Sequence, residues 1–220
     1  MYFSKICLRK DAGSLKKLNQ YIHKNGYYYH QLIWGLFSDE DTTKKRDFIY
    51  RAEFDSAWPN FYVVSATEPV DRKGIWSIQS KIYQPKIKNK DSFYFMLQVN
   101  PRVCRKNDKG NHQYFDVVQD AFHRLNREKS KSEIIQEVGE KWLDSRGEKN
   151  GFIVTPGSVM ADNFQKHHFK KSKQANIISF STIDFRGQLQ VINTEKFMHA
   201  LYHGMGAAKG FGCGLLMVKR

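Results

Sequence analysis

The sequence predicts an α+β protein built from antiparallel sheets. Two observations carry that prediction. The first half runs strand, helix, strand, strand, strand, close to the β-α-β-β-α-β ferredoxin-like order. After a polar stretch at 85–91, PKIKNKD, a second alternation of strands and helices begins, with a similar order but no close internal repeat.

Each element has its own signal. Tyr2 to Arg9 alternates apolar and polar residues, as a half-buried strand does. From Tyr28 to Leu36 the apolar residues recur at helical spacing, with Asn25-Gly26 before them and Ser38-Asp39 after. Asp47 to Phe54 and Phe61 to Ala66 read as strands joined by a turn at Pro59-Asn60, and Ser77 to Tyr83 as a further strand. The second helix of the pattern has only the short stretch between Thr67 and Trp76, which holds Pro69 and Gly74. Phe93 to Val103 reads as a strand that ends near Asn100-Pro101, and Arg102 to Asn111 as a basic loop. Ser132 to Leu143 is a helix with Ser132 able to cap, because Ile134, Ile135, Val138 and Trp142 fall at helical spacing. Phe152 to Val159 and Ile177 to Phe185 read as strands. Arg186-Gly187 reads as a turn into Gln188 to Ile192, Thr194 to His203 as a last helix, and Cys213 to Val218 as a last strand.

Charge points to a polyanion. The 220 residues hold 36 Lys and Arg against 22 Asp and Glu, a net charge of +14. Basic residues alternate with aromatics, which make up 14 % of the chain, the combination that binds phosphates and stacks bases. With 40 % hydrophobic residues, the composition supports a packed core. Cys7, Cys104 and Cys213 are scattered and form no CxxC pair, which argues against a zinc site or a disulfide framework and fits a reducing, cytoplasmic location. The N-terminal MYFSKICLRKD has too short an apolar part for a signal peptide, and no run of about 18 apolar residues suggests a membrane span. No DxD or paired-carboxylate constellation stands out, so the reading carries no metal and no cofactor.

Three segments carry chemistry. The C-terminal GMGAAKGFGCGLL, Gly204 to Leu216, holds five glycines in eleven residues around Lys209. Its order is neither a Walker loop nor a dinucleotide fingerprint. It is either a tight connection packed between sheets or a loop whose backbone N–H groups meet phosphates, with Gly206, Lys209 and Gly210 as contacts. Lys166 to Lys173, KHHFKKSK, reads as an exposed loop or hairpin tip, with Lys170, Lys171 and Lys173 able to contact phosphates. Arg102, Arg105, Lys106 and Lys109 form a similar cluster. Finally, YYYHQLIWGLF at 27–37 places Tyr27 and His30 three residues apart, on one face of a helix. A histidine there is either a packing residue or a proton-transfer group, and RNA cleavage by 2′-OH attack needs little more than such a group. Trp34 and Phe37 read as core residues.

Taken together, the YxxH…W..LF segment after the first strand, Asn100-Pro101, Phe-x-Gly-x-Leu-x-Val at Phe185 to Val191, and the glycine loop at 204–216 resemble the CasE family of CRISPR repeat-RNA endoribonucleases. The resemblance runs nearly end to end. It implies two tandem ferredoxin-like (RRM-like) domains with antiparallel sheets, here 1–87 and 92–220. It also implies binding to the hairpin of the CRISPR repeat, metal-independent cleavage at its 3′ base leaving a 2′,3′-cyclic phosphate or a 3′-phosphate, and retention of the product beside the other Cascade subunits. The family's catalytic histidine falls on His30 and its assisting tyrosine on Tyr27, although Tyr28 and Tyr29 leave open which tyrosine assists. The family's basic segment falls on Lys170 to Lys173. Two rivals stand beside this reading: a non-catalytic RNA-binding scaffold of the same fold, and a structural subunit whose basic face binds a partner protein.

Overall fold

The computed structural model describes residues 1–9, 11, 13, 26–37, 46–54, 59–106, 109–124, 129–170 and 177–220, apart from the side chains of residues 27, 28, 169 and 170. Its strands form two main antiparallel sheets, divided by the segment 83–91.

The first sheet contains β1 (Tyr2–Leu8), β2 (Phe48–Glu53), β3 (Asn60–Ser65) and β4 (Trp76–Ile82), in the order β2-β3-β1-β4. This is the ferredoxin-like order, with the first and third strands central. The helix α1 (Gly26–Trp34) covers one face. It does so because Leu32, Ile33 and Leu36 recur at helical spacing and are buried with Ile6, Phe48, Phe61 and Trp76. Phe37 stacks on Phe48 at 4.7 Å and Trp34 meets the same ring edge-on at 5.6 Å, so both expected core positions are core. Between β3 and β4 the expected second helix is absent: 66–75 forms bends and a turn. Asp71 organises it, accepting from the backbone N–H groups of Ile75 and Trp76.

The second sheet has the order β11-β5-β10-β8, built from β5 (Ser92–Val99), β8 (Phe152–Val154), β10 (Ile177–Val191) and β11 (Leu216–Lys219). β9 (Met160–Lys170) pairs with the first part of β10, on the side where β8 pairs with its end. The two therefore act as one edge strand interrupted at 155–159, and the ferredoxin-like order repeats. Helices α2 (Val117–Arg124) and α3 (Lys131–Gly147) come before β8, and α4 (Thr194–His203) joins β10 to β11. The core gathers Leu97, Val99, Trp142, Leu143, Ile183, Phe185, Phe197 and Leu201, all under 5 % exposed.

Several expectations for this half need correction. Arg102 to Asn111 is not a loop: β6 (Arg102–Lys106) pairs with β7 (His112–Asp116) as a hairpin. The strand from Phe93 accordingly ends at Val99 and resumes past Pro101 as β6. The capping residue of α3 is Ser130 rather than Ser132; its Oγ accepts from Glu133 N–H, and Glu133 returns the bond to the Ser130 N–H. Lys166 to Lys170 lies in β9 rather than in a loop, and residues 171–176 fall outside the described residues. Arg186-Gly187 is not a turn either, because β10 runs straight through it. A Cβ on Gly187 would sit 2.9 Å from the Ser158 carbonyl oxygen, where the interrupted edge crosses. The glycine marks close backbone approach.

Gly187→Val therefore destabilises the protein by about 1–3 kcal/mol, although valine suits strands. Ser130→Ala costs about 1 kcal/mol through the lost cap. Denaturant melts of both variants check this; a Gly187→Val variant as stable as the parent would remove the packing account of that glycine.

Candidate active site

The site forms where the C-terminal glycine loop meets α1. Gly204, Gly206, Gly212 and Gly214 all have φ between 66° and 89°, a region L side chains rarely adopt. The loop is stitched to the end of β5 by Gly214 N–H donating to Gln98 O (2.7 Å) and by an Asn100–Ala207 bridge. It is tied to the first sheet by the Tyr50 hydroxyl, which donates to Gly210 O at 3.2 Å. A short 3₁₀ turn, Lys209–Phe211, sits at its centre.

His30 faces that turn. Its ring centroid lies 6.2 Å from Phe211 and 5.7 Å from Trp34. A Cβ on Gly210 would lie 3.8 Å from His30 Cε1 and Nδ1 and only 2.8 Å from Arg46 Nη1. Imidazole and guanidinium thus rest on the same glycine, from segments far apart in sequence. Arg46, just before β2, is the site residue that sequence reasoning missed; in KKRD it reads as one more solvated charge. It is half-buried, and desolvation lowers its pKa. A guanidinium nevertheless stays charged at neutral pH.

The tyrosines divide. Tyr29 packs its ring 5.7 Å from both Phe54 and Phe61, and burial raises its pKa, so it belongs to the core side of α1. Tyr27 lies in the first turn of the helix, three residues before His30. Tyr50 is almost fully buried, and burial drives its pKa up.

The other predicted contacts are placed as follows. Lys209 directs its ammonium to the carbonyls of His203 and Gly204, both at 2.8 Å, and so closes the loop. Burial lowers its pKa, with Arg46 adding to the effect. Gly210 is at the site, whereas Gly206 lies by Trp142 on the other side of the loop. Arg105 pairs with Asp120 at 2.8 Å, and Arg102 covers the Tyr114 ring at 4.3 Å. Lys109 is exposed at the β6–β7 turn. Lys170 ends β9; Lys171 and Lys173 lie outside the described residues.

A cleft of about 570 Å³ adjoins the site between the two sheets. Phe211, Phe180 and His167 form a row along its wall, with ring centroids 5.2 Å and 4.8 Å apart. His167 is bonded to Thr182 Oγ1 at 2.9 Å, and burial lowers its pKa. At the floor, Arg51 pairs with Glu53 on its own strand and with Asp184 of β10 at 3.4 Å.

The family model described as CRISPR-associated protein matches residues 1–220. A stretch of 85 residues is 29 % identical to the CRISPR-associated endoribonuclease Cse3 of Thermus thermophilus, covering 35 % of this chain and 40 % of that relative's length. The fold is similar to that of Thermus thermophilus Cse3 bound to an RNA representing a pre-cleavage complex (TM-score 0.69, 21 % identity, 100 % of this chain and 98 % of that one). It is also similar to that of the CRISPR-associated protein Cas6e from Escherichia coli K-12 (TM-score 0.65, 21 % identity, 99 % and 98 %). At these identities the structural likeness establishes the fold, the tandem ferredoxin-like arrangement.

The glycine loop also holds Cys213, fully buried, its thiol pushed up to about 12 by burial with Asp184 adding to the shift. The folded state therefore keeps a proton that the unfolded chain releases near the ordinary thiol pKa. The corresponding stability is complete below that pKa and is lost as pH climbs toward 12. At pH 8, iodoacetamide is expected to modify exposed Cys104 and spare Cys213 until denaturant is added, as read by peptide mass spectrometry. Equal labelling of both would show that the loop does not stay packed.

Proposed function

This chain belongs to the CRISPR-associated protein family, and from that premise we propose that it is an endoribonuclease of the CasE kind. It binds the repeat hairpin of CRISPR precursor RNA, cuts at the 3′ base of the stem without a metal ion, and stays on the product as a Cascade subunit. The observation that carries this reading is the meeting of His30 and Arg46 on Gly210, at the position where the CasE resemblance puts the catalytic histidine. Cse3, to which the chain is similar in sequence and fold, is named as an endoribonuclease and has been solved with RNA.

The chemistry follows from the groups present. The 2′-OH of the nucleotide before the cut attacks the adjacent phosphorus and loses its proton. The P–O5′ bond breaks, the 5′ oxygen takes up a proton, and a 2′,3′-cyclic phosphate remains, open to later hydrolysis to a 3′-phosphate. His30 handles one of these two proton transfers. Tyr27, one turn earlier on α1, positions the reacting group. Arg46 faces the charge that builds on the phosphorane; its planar fork suits two phosphate oxygens, and its partial burial strengthens the interaction. Lys170, Lys171 and Lys173 contact the stem phosphates, supplying affinity without base reading.

The test is cleavage of the protein's own repeat RNA in EDTA. Wild-type protein cuts at one site. His30→Ala slows cutting by about 100- to 10,000-fold, while Kd stays within about threefold because contacts spread over many phosphates carry the affinity. Tight binding by wild-type protein without cutting would make it a scaffold, and absence of binding would end the RNA reading. Equal collapse of binding and cutting in His30→Ala would make that histidine structural.

For Arg46, replacement by alanine slows the cleavage step by about 100-fold or more in single-turnover assays. Lysine restores only part of the rate, since a point charge lacks the two-pronged geometry. A full-rate Arg46→Ala protein would remove that residue from the mechanism.

A further inference from the structure

The three cysteines sit in different surroundings. Cys213 is buried in the glycine loop, and Cys7 is half-buried with its thiol donating to Asn60 Oδ1 at 2.9 Å. Cys104 stands exposed on β6, and its Sγ lies 3.2 Å from Nδ1 of His112 on β7. The register explains that contact. Cys104 pairs with Tyr114 and Lys106 with His112, so Cys104 and His112 are diagonal neighbours on one face of the hairpin. With its ring proton on Nε2, His112 accepts the thiol hydrogen at Nδ1. A thiol becomes a nucleophile by losing that proton, and the imidazole is in place to take it.

Cys104 also lines a hollow of about 530 Å³, a size that suits a small molecule. Two arginines share its wall. Arg146 lies over Trp142 at 5.5 Å, and its Nη2 donates to the Arg102 carbonyl at 3.1 Å, which fixes its head in place. The Arg102 guanidinium rests on the Tyr114 ring at 4.3 Å. Among the described residues no carboxylate lines this hollow. Asp116, in the adjoining one, is already occupied by the N–H groups of Val118 and Gln119. Asn100 completes the set. It is 2 % exposed, lines the hollow, and its Oδ1 has no hydrogen-bond partner among the described residues. A buried acceptor left unmet is costly, and an N–H arriving with a ligand relieves that cost.

A sulfur beside a base, two cations and an unmet acceptor together define a ligand. It has a sulfur open to exchange, carboxylates, and amide N–H groups. We propose that Cys104 is a modification site for a small peptide disulfide of the glutathione type, with the hollow holding the half that is transferred. Arg102 and Arg146 bind its carboxylates, which match the guanidinium fork, and Asn100 Oδ1 accepts from an amide N–H. The step is thiol–disulfide exchange. His112 takes the Cys104 proton and the thiolate attacks one sulfur of the disulfide. The bond between the two ligand sulfurs breaks as the bond from Cys104 Sγ forms. The leaving thiolate recovers the proton from His112 and departs as a thiol. One disulfide is consumed and one is made, so no other oxidant enters. The site uses neither His30 nor Arg46 and does not depend on the nuclease reading.

The experiment treats the full chain with glutathione disulfide at neutral pH, blocks the remaining thiols with iodoacetamide, and follows the adduct at each cysteine by peptide mass spectrometry. Two comparisons accompany it. One is 2-hydroxyethyl disulfide, which has hydroxyls in place of carboxylates. The other is a peptide of residues 101–109, which keeps Cys104 and Arg102 but not the hollow. With glutathione disulfide, Cys104 reacts faster in the protein than in the peptide by about tenfold, the scale of one charge-assisted hydrogen bond. With 2-hydroxyethyl disulfide that ratio is smaller. Arg146→Gln slows only the glutathione reaction, again by about tenfold, and His112→Gln slows both. Wild-type protein that reacts no faster than the peptide overturns the site. Equal ratios for the two disulfides overturn the hollow as the place where the peptide half binds. Adducts forming as readily on Cys7 as on Cys104 overturn the role of His112 and its neighbours.

Discussion

The passage of the C-terminal loop between the two sheets is the constraint on which the rest depends. That strip of backbone approaches β2 on one side and β5 on the other, with no room for a side chain at Gly204 or Gly214. A Cβ on Gly204 would sit 3.0 Å from Ile49 Cδ1, and one on Gly214 would sit 2.4 Å from Met205 O. The loop's two ends are fixed by the second half through α4 and β11, while its middle is fixed by the first half through the Tyr50–Gly210 bond. The candidate site exists only because both sets of contacts hold at once. α1 supplies His30, the entry to β2 supplies Arg46, and the loop supplies the surface on which the two meet. No single half contains it.

The contact between the halves is held in register as well as held together. An apolar patch of Ile49, Val64 and Leu215, with Phe3, Tyr83 and Tyr202 around it, provides the non-directional attraction. The Arg51–Asp184 pair, 5 % and 8 % exposed, provides the directional part. A buried ion pair adds little net stability over an apolar substitute, but separating its members is costly, about 3–5 kcal/mol when one partner is removed. A sideways slip of one sheet against the other would break this pair, leaving Arg51 with Glu53 alone and Asp184 with the Asn163 amide. It would also move Tyr50, the next residue on β2, away from Gly210. The same strand thus carries the register device and the anchor of the site.

Much of this was legible in the sequence, for identifiable reasons. The 3.6-residue spacing of Leu32, Ile33 and Leu36, and of the apolar residues in α3 and α4, gave helices close to their observed bounds. The ferredoxin-like order was also readable, and the sequence named His30 as a candidate, which the fold sets beside Phe211 of the glycine loop. Three of the missed elements, β6, β7 and β9, share a cause: most of their residues are polar. β6 and β7 carry Arg102, Arg105, Lys106 and His112, and β9 carries Asp162, Gln165 and Lys166, so apolar alternation is interrupted in all three. Hydrophobic periodicity does not register such strands. Gly187 misled for the opposite reason, since a glycine within a strand and one in a turn look alike until the neighbouring backbone is seen. Arg46 was invisible because the glycine it packs against, Gly210, comes from the far end of the chain.

The electrostatic surplus and the chemistry occupy different places, and this bears on how such a protein could hold its product. Among the described residues most cations are exposed and several are already paired, as Arg105 is with Asp120 and Lys141 with Glu137. Exposed cations give salt-dependent attraction spread over many phosphates, and each contributes little alone. The site concentrates only His30 and Arg46, with the nearby Lys209 ammonium held on two backbone carbonyls. In the proposed reaction the phosphodiester becomes a cyclic diester of the same charge, and the stem contacts are left untouched. Affinity for product should then stay close to affinity for substrate, since the groups that bind are not the groups that react. On the proposed reading, retention of the cut RNA needs no further device beyond this separation of the groups that bind from the groups that react.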